Sequence, residues 1–233
     1  PREPLIFVEV ALSRGLAASV QSLLDENQPA ADPRKADTAI FYSISSTQRG
    51  LRGISFGNFL IKRVVDELKR DFPALRNFAT LSPIPGFVRW LRSAAAASTM
   101  LPASAQSKLK KAGVEAGSAR ELWSVLEGRL SGREPKVAAA AEEALVFACA
   151  YYLAEVRQGL RPIDPVARFH LDNGARIERL NWLADTSEKG MQQSAGIMVN
   201  YVYDPGEIER NHEAYRLHGK VALSGELRRL LRR

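Results

Sequence analysis

A serine that follows an apolar run is the first candidate for chemistry in this sequence. Ser82 lies in the segment Thr80-Leu81-Ser82-Pro83, and the proline after it favours an extended backbone at the serine. A hydroxyl held in this way at the end of a strand can donate a hydrogen bond to a developing oxyanion. A turn serine without a chemical role fits the same local pattern.

A histidine between two apolar residues is the second candidate. The chain has three histidines, and His170 is the one flanked by Phe169 and Leu171, just before a predicted strand. An imidazole placed there can act as a general acid or base, and a hydrogen-bonded structural histidine is the alternative. His212 and His218 lie in a polar stretch and are predicted to be solvated. Because no His-x-x-x-His pair, paired cysteines or acidic cluster accompanies these residues, the sequence predicts no metal site.

A glycine-bearing turn is the third candidate. Gln48-Arg49-Gly50-Leu51-Arg52-Gly53 follows an apolar run and precedes a predicted helix that starts near Ser55. Unpaired N–H groups at a helix start can bind a phosphate, and the glycines let the backbone approach it. Arg49 and Arg52 add positive charge. An ordinary turn between a strand and a helix fits the same pattern, which lacks the ending of a nucleotide P-loop.

These segments must be positioned by strands and helices that alternate along the chain. Apolar patterning predicts strands at 5–10, 38–44, 78–81, 175–182 and 197–203. Helices are predicted from Ser13 onward and at 56–72, 122–130, 137–156 and 224–233. The pattern predicts an α/β (α+β) fold with a mixed sheet flanked by helices and a helical insertion at about 90–160.

Composition narrows the class of protein. The 233 residues contain 33 Lys plus Arg against 26 Asp plus Glu, a net charge of +7, which favours an anionic partner without choosing among nucleic acid, a membrane surface and a phosphorylated small molecule. The one cysteine, Cys149, is predicted to be a small buried apolar residue. The apolar run at 145–153 is too short to span a bilayer and no secretory leader is recognised, so a cytoplasmic location is expected.

Five segments of the chain, in this order, resemble malonyl-CoA decarboxylase. They are FYSISSTQRGLRGISFGNFLIKRVV, FATLSPIPGF, DPVARFHLDNGA, LNWLADTSEKG and GIMVNY. The resemblance covers nearly the whole chain except the alanine-rich helical block. It implies a catalytic domain of the N-acetyltransferase-like (GNAT) fold over residues 1–233, normally preceded by a helical domain that this chain lacks.

The resemblance assigns roles to particular positions. The catalytic serine of the family matches Ser82, and its catalytic histidine matches His170. The coenzyme A turn of the family matches the segment 48–53. The residues implied in substrate binding are Ser43, Gln48, Arg49, Gly50, Arg52, Gly53, Ser55, Asn200 and Tyr201.

The match departs from the family pattern at two places. Animal members carry glutamate at the position of Ser55, so this chain has no carboxylate there, and Ser55 is expected to cap its helix. The spacing Gly50-x-x-Gly53 also differs from the usual acetyltransferase turn.

The resemblance also implies a reaction and its partners. It implies that malonyl-CoA loses carbon dioxide to give acetyl-CoA with no metal or organic cofactor, a reaction of fatty acid metabolism. Ser82 and His170 would orient the carboxylate, stabilise the enolate and protonate carbon. The expected partners are malonyl-CoA and acetyl-CoA, with no nucleic acid and no membrane, and the full-length protein is expected to be a homo-oligomer.

Two other functions are compatible with parts of the sequence. An acyltransferase of the same fold would also bind acyl-coenzyme A, since fold alone does not fix function. A non-catalytic basic module could bind nucleic acid through the arginine-rich terminus at 228–233. No aromatic residues interleave with those arginines, however, and a solvated helix end accounts for them.

Overall fold

The computed structural model describes residues 6–27, 32–46, 57–130 and 134–232. These contain the following strands and α-helices: β1 (Ile6–Ser13), α1 (Val20–Leu23), β2 (Thr38–Ser46), α2 (Gly57–Asp71), β3 (Asn77–Thr80), α3 (Phe87–Leu91), α4 (Ala103–Lys111), α5 (Ala119–Leu126), α6 (Pro135–Ala154), β4 (Arg157–Gln158), β5 (Arg161–Pro162), α7 (Pro165–Asp172), β6 (Arg176–Asn181), α8 (Glu188–Ser194), β7 (Met198–Val202), α9 (Ile208–His218) and α10 (Gly225–Leu230). Short 3-10 helices lie at Pro33–Lys35 and Ala94–Ser98.

A five-stranded mixed sheet is the main β-structure of the described residues, with the order β1-β2-β3-β7-β6. β1 pairs with β2 in antiparallel orientation and β2 pairs with β3 in parallel, with Phe41 opposite Thr80. β3 then pairs with β7 in antiparallel orientation. The predicted α/β class, a mixed sheet with helices, is confirmed.

The chain divides into two compact units. The first comprises Pro1–Ser82, Phe169–Glu178 and Val199–Ala222, and the second comprises Pro83–Arg168, Arg179–Met198 and Leu223–Arg233. The apolar interior of the first unit contains Ile40, Phe41 and Phe78, which are fully buried sheet residues, together with Ile61 and Val65 of α2.

The second unit is mainly helical and is built around α6. Eleven of the 20 residues of α6 are buried, and helices α4 and α5 pack on it. The region 90–160, which the sequence predicts to be a helical insertion, holds α4 to α6 and the end of α3.

The length of α6 agrees with the helix predicted at 137–156. The helix runs for 20 residues, at Pro135–Ala154, and by length and composition alone it could cross a membrane, although the apolar run at 145–153 is shorter. Because 67% of its most apolar window is buried inside the protein, α6 has the burial pattern of a core helix.

The prediction of a helix that begins at Ser13 is wrong. β1 continues through Ser13, and the only helix that the structure describes in this segment is the four-residue α1, which is capped by Ser19. Gly15 interrupts the segment with φ +71°, and its N–H donates to Asp37 Oδ1 at 2.8 Å. The residues whose helical spacing led to this prediction, Leu16, Val20, Leu23 and Leu24, therefore do not form the buried face of one helix.

The local setting of His170 also differs from the prediction. The sequence placed this residue just before a strand, but it lies in the last turn of α7, and β6 begins at Arg176. The helix forms there because Asp164 Oδ1 accepts the N–H groups of Val166 and Ala167, at 3.0 and 2.9 Å, at the start of α7.

Candidate active site

Ser82 is held by backbone pairing just beyond the end of β3. Its N–H donates to Val199 O at 2.9 Å, and its carbonyl accepts from Val199 N–H at 3.0 Å. Pro83 follows directly, so the backbone of Ser82 is fixed on both sides. The residue is only 6% exposed, which confirms that the hydroxyl is held at a strand end.

His170 is buried in an aromatic environment within the first unit. It is 4% exposed, and its ring stacks on that of Tyr201 with 4.3 Å between the centroids and 25° between the planes. The ring of Phe169 stands edge-on to the imidazole at 5.0 Å. Stacking on Tyr201 restricts the plane of the imidazole and so directs its two nitrogens.

The two residues meet although 88 positions separate them. Ser82 Oγ and His170 Nε2 form a hydrogen bond of 3.1 Å. The other imidazole nitrogen, Nδ1, lies 2.7 Å from the hydroxyl of Tyr203, and Ser82 Oγ donates to Thr80 Oγ1 at 2.9 Å. Thr80, Ser82, His170 and Tyr203 therefore form one buried chain of hydrogen bonds.

His170 and Tyr203, the titratable residues of this hydrogen-bonded chain, are neutral near pH 7. Burial lowers the pKa of His170 from its usual 6.5 to about 3, because removing an imidazolium from water is costly. Burial also raises the pKa of Tyr203 well above its usual value. An arrangement of neutral donors and acceptors suits hydrogen bonding to a substrate carboxylate or to an enolate oxygen.

Two further residues that the sequence predicted lie beside this pair. The side-chain amide of Asn200 donates to Thr80 O at 2.8 Å and to Ala17 O at 3.1 Å. Tyr201 donates its backbone N–H to Thr80 Oγ1 at 3.2 Å. Both residues are fully buried, and these contacts help to position the pair, while a direct contact with substrate stays a prediction for both.

Ser43 lies on β2 near the same end of the sheet. Ser43 pairs with Glu9 of β1, and a β-bulge separates it from Phe41, because Glu9 and Val10 pair with Ser43 and Phe41 and leave Tyr42 as the extra residue. The register of β2 with β3 ends at Phe41 and Thr80. The active-site role that the resemblance implied for Ser43 stays a prediction.

The predicted phosphate turn falls outside the part of the chain that the structure describes. Its members are Gln48, Arg49, Gly50, Arg52, Gly53 and Ser55. The described part of the following helix begins at Gly57, and the assignment of coenzyme A binding to the turn stays a prediction.

Sequence reasoning missed two members of the hydrogen-bonded chain, Thr80 and Tyr203. A signal for each was present, because Thr80 precedes Ser82 by two positions and Tyr203 follows Tyr201 by two, the spacing of one strand face.

The second unit contains a separate buried polar cluster. Asp164 is fully buried, and it accepts hydrogen bonds from the backbone N–H of Gly86 and from the hydroxyl of Tyr152, the latter at 3.5 Å. Burial raises the pKa of Asp164, and these hydrogen bonds oppose that rise. Cys149 is buried in this unit with its pKa raised, as expected for an inert thiol.

The described ranges contain no group of three or more His, Cys, Asp or Glu side chains that could hold a metal ion. His212, which was predicted to be solvated, is half-buried with Nδ1 2.5 Å from Asp172 O.

Comparison with known proteins places this site in a family context. The sequence model of the malonyl-CoA decarboxylase C-terminal domain matches residues 1–233. The chain is 38% identical over 224 residues to the mitochondrial malonyl-CoA decarboxylase of Anser anser anser, covering 92% of this chain and 44% of that protein. Against the corresponding protein of Rattus norvegicus it is 38% identical over 229 residues, covering 92% and 45%.

Solved structures show the same similarity. The crystal structure of malonyl-CoA decarboxylase from Rhodopseudomonas palustris has a TM-score of 0.83 and 44% identity to this chain, covering 97% of this chain and 49% of that one. The chain spans less than half the length of the curated relatives that it matches.

Proposed function

The chain belongs to the malonyl-CoA decarboxylase family, and from this premise we propose that it converts malonyl-CoA to acetyl-CoA and carbon dioxide. The observation that carries the proposal is the buried hydrogen bond of 3.1 Å between Ser82 Oγ and His170 Nε2. It joins two residues that the resemblance had assigned to catalysis independently of each other.

The reaction requires little from the protein beyond positioning and hydrogen bonding. When the bond between the carboxylate carbon and the methylene carbon breaks, its electron pair passes to the thioester oxygen as an enolate, and carbon dioxide leaves. Protonation of the methylene carbon, with the proton replaced from water, then gives acetyl-CoA. The thioester is its own electron sink, so the chemistry does not need a metal or an organic cofactor.

The neutral state of His170 determines how it can contribute. With its pKa lowered to about 3, the imidazole of the free protein offers one N–H donor and one acceptor nitrogen near pH 7. It therefore acts as a hydrogen-bond partner and not as a fixed cation. Ser82 and His170 together hold the substrate carboxylate or the enolate oxygen, and one of them delivers the proton to carbon, directly or through water.

Binding of the coenzyme A portion is assigned to the turn at 48–53, on the resemblance and on the chemistry of its glycines and arginines. The net charge of +7 favours such an anionic substrate. A cytoplasmic location, a role in fatty acid metabolism and homo-oligomer formation remain proposals, and the goose and rat relatives are named as mitochondrial enzymes.

A direct assay tests the proposal. The purified chain is incubated with malonyl-CoA and no acyl acceptor, with and without exhaustive chelation, and acetyl-CoA and carbon dioxide are measured. We expect equimolar formation of both products, undiminished by the chelator. Absence of both would refute the decarboxylase proposal, and transfer of an acyl group to an added amine without loss of carbon dioxide would indicate the acyltransferase instead. Activity lost on chelation and restored by Zn²⁺ or Mg²⁺ would refute the metal-free mechanism.

A further inference from the structure

Thr80 occupies an unusual place in the pairing of β3 with β7. The two strands bridge at Ala79–Val202 and again at Ser82–Val199, and both bridges share one register, which places Thr80 opposite Tyr201. At this position the Tyr201 N–H donates to the side-chain hydroxyl of Thr80 at 3.2 Å. The Thr80 carbonyl instead accepts the side-chain amide of Asn200 at 2.8 Å.

The hydroxyl of Thr80 is therefore held in place by the backbone N–H of Tyr201. Thr80 is 1% exposed, so water does not compete for its oxygen. The same oxygen accepts the proton of Ser82 at 2.9 Å. Thr80 Oγ1 thus receives two donors, the Tyr201 N–H and the Ser82 O–H, which occupy its two lone pairs.

The direction of the next hydrogen bond follows if the Ser82 hydroxyl donates to Thr80. A serine hydroxyl carries one proton, which Thr80 Oγ1 then accepts. The contact of 3.1 Å between Ser82 Oγ and His170 Nε2 then requires Nε2 to carry hydrogen and donate it. Because the imidazole is neutral, Nδ1 is left as an acceptor for the hydroxyl of Tyr203, which lies 2.7 Å away.

We propose that Thr80 is a positioning residue of the active site, which directs the Ser82 proton away from His170 and thereby keeps His170 in the tautomer with hydrogen on Nε2. This inference rests on the proposed function, since it assigns Thr80 a part in that reaction. Thr80 acts through Ser82, and the nitrogen that faces Ser82 becomes the hydrogen-bond donor.

The experiment compares Thr80→Val, which has the same shape without the hydroxyl, with Thr80→Ser, which keeps the hydroxyl. The valine variant should lose about tenfold in kcat, the effect of one hydrogen bond in a transition state, while coenzyme A affinity changes little. The serine variant should stay within about twofold of the parent.

Thr38→Val is the matched control, because Thr38 is also a fully buried threonine of the first unit with two hydrogen bonds, to Asp37 and Asn77. It should lose stability without losing kcat.

A double variant separates positioning from general damage to the sheet. If Thr80 acts through Ser82, Thr80→Val should lower kcat in the parent but cause no further loss in the Ser82→Ala background. An equal loss in both backgrounds would overturn the inference. If the valine variant does not fold, Thr80→Ala takes its place in the same comparison.

Nitrogen-15 spectroscopy of the histidine rings gives a readout that is independent of turnover. We expect hydrogen on Nε2 of His170 in the parent, Thr38→Val and Thr80→Ser proteins, and a shift toward the Nδ1–H tautomer in Thr80→Val. An Nδ1–H tautomer in the parent, or an unchanged tautomer in Thr80→Val, would overturn the assignment. If the parent does not decarboxylate malonyl-CoA, the proposed function fails, and this spectrum still decides whether Thr80 controls His170.

Discussion

The Tyr203 hydroxyl lies 2.7 Å from Nδ1 of His170, on the side of the imidazole opposite Ser82. Both residues are buried, so water does not replace this contact. Tyr203 is fixed in turn by its N–H, which donates to Phe78 O at 2.8 Å. Nδ1 of the proposed catalytic histidine therefore has a defined partner, Tyr203, the residue that directly follows β7.

Replacing Tyr203 with phenylalanine should lower kcat about threefold to tenfold, since it removes one hydrogen bond that orients the imidazole. Steady-state kinetics with malonyl-CoA would measure the loss, and KM should change less than kcat. Tyr151→Phe is a suitable control, because Tyr151 lies on α6 in the second unit. Equal activity of Tyr203→Phe and the parent would contradict an orienting role for Tyr203.

Ser82 and His170 should behave as one functional unit. Ser82→Ala and His170→Asn should each lower the decarboxylation rate by about 10² to 10⁴, the usual effect of losing a general acid or an oxyanion donor. The double variant should lose far less than the product of the two single losses. Multiplicative losses would show that the two residues act independently, and near-full activity of folded Ser82→Ala would refute the assignment.

The buried His170 should also make stability depend on pH. Its pKa is about 3 in the folded protein and about 6.5 when unfolded, so between these values the unfolded state binds a proton that the folded state does not. Stability should therefore fall as pH decreases from about 6.5, by up to about 1.4 kcal/mol per pH unit from this group. Urea unfolding of the parent and of His170→Asn between pH 7 and pH 4 would measure the difference. Identical pH dependence of the two proteins would mean that His170 titrates normally.

Gly86 should tolerate no side chain while Tyr152 keeps its hydroxyl. A Cβ on Gly86 would clash with the Tyr152 hydroxyl but would lie 3.4 Å from the ring carbon that carries it. Gly86→Ala should therefore cost about 1 to 3 kcal/mol in the free energy of unfolding, as overpacking does. In a Tyr152→Phe background most of this cost should disappear. Thermal or urea unfolding of the four proteins tests this, and an equal cost in both backgrounds would place the clash elsewhere.

The turn at 48–53 should contribute most to the affinity for coenzyme A. Gly53→Val is expected to weaken binding, because a β-branched side chain crowds a turn whose backbone must approach phosphate. Calorimetry with coenzyme A measures the effect. Gly206→Val serves as the control, since Gly206 is exposed and its nearest neighbour to a new Cβ is Asp204 Oδ1 at 3.5 Å. Unchanged affinity in folded Gly53→Val would show that the phosphates bind at another place.

Local sequence patterns predicted most of the helices and strands, because the periodicity of apolar residues and the prolines and glycines that end an element are properties of short segments. The helix predicted at 56–72 and the strands predicted at 38–44, 78–81 and 197–203 each follow from residues close together in the chain, and they correspond to α2, β2, β3 and β7. The same reasoning failed between Ser13 and Leu24, because Gly15 and its contact with Asp37 prevent a helix that the leucine spacing alone permits.

The sequence by itself determined the family, the candidate pair Ser82 and His170, and the mixed α/β class, because those depend on ordered motifs and on periodicity. Only the tertiary structure decided that the two side chains meet at 3.1 Å across 88 positions and that Thr80 and Tyr203 extend the pair. It also decided that the imidazole is neutral, with its pKa lowered by burial. Contacts between β3, α7 and β7 and the loss of water from His170 arise only when distant segments pack together, so no pattern within one segment contains them.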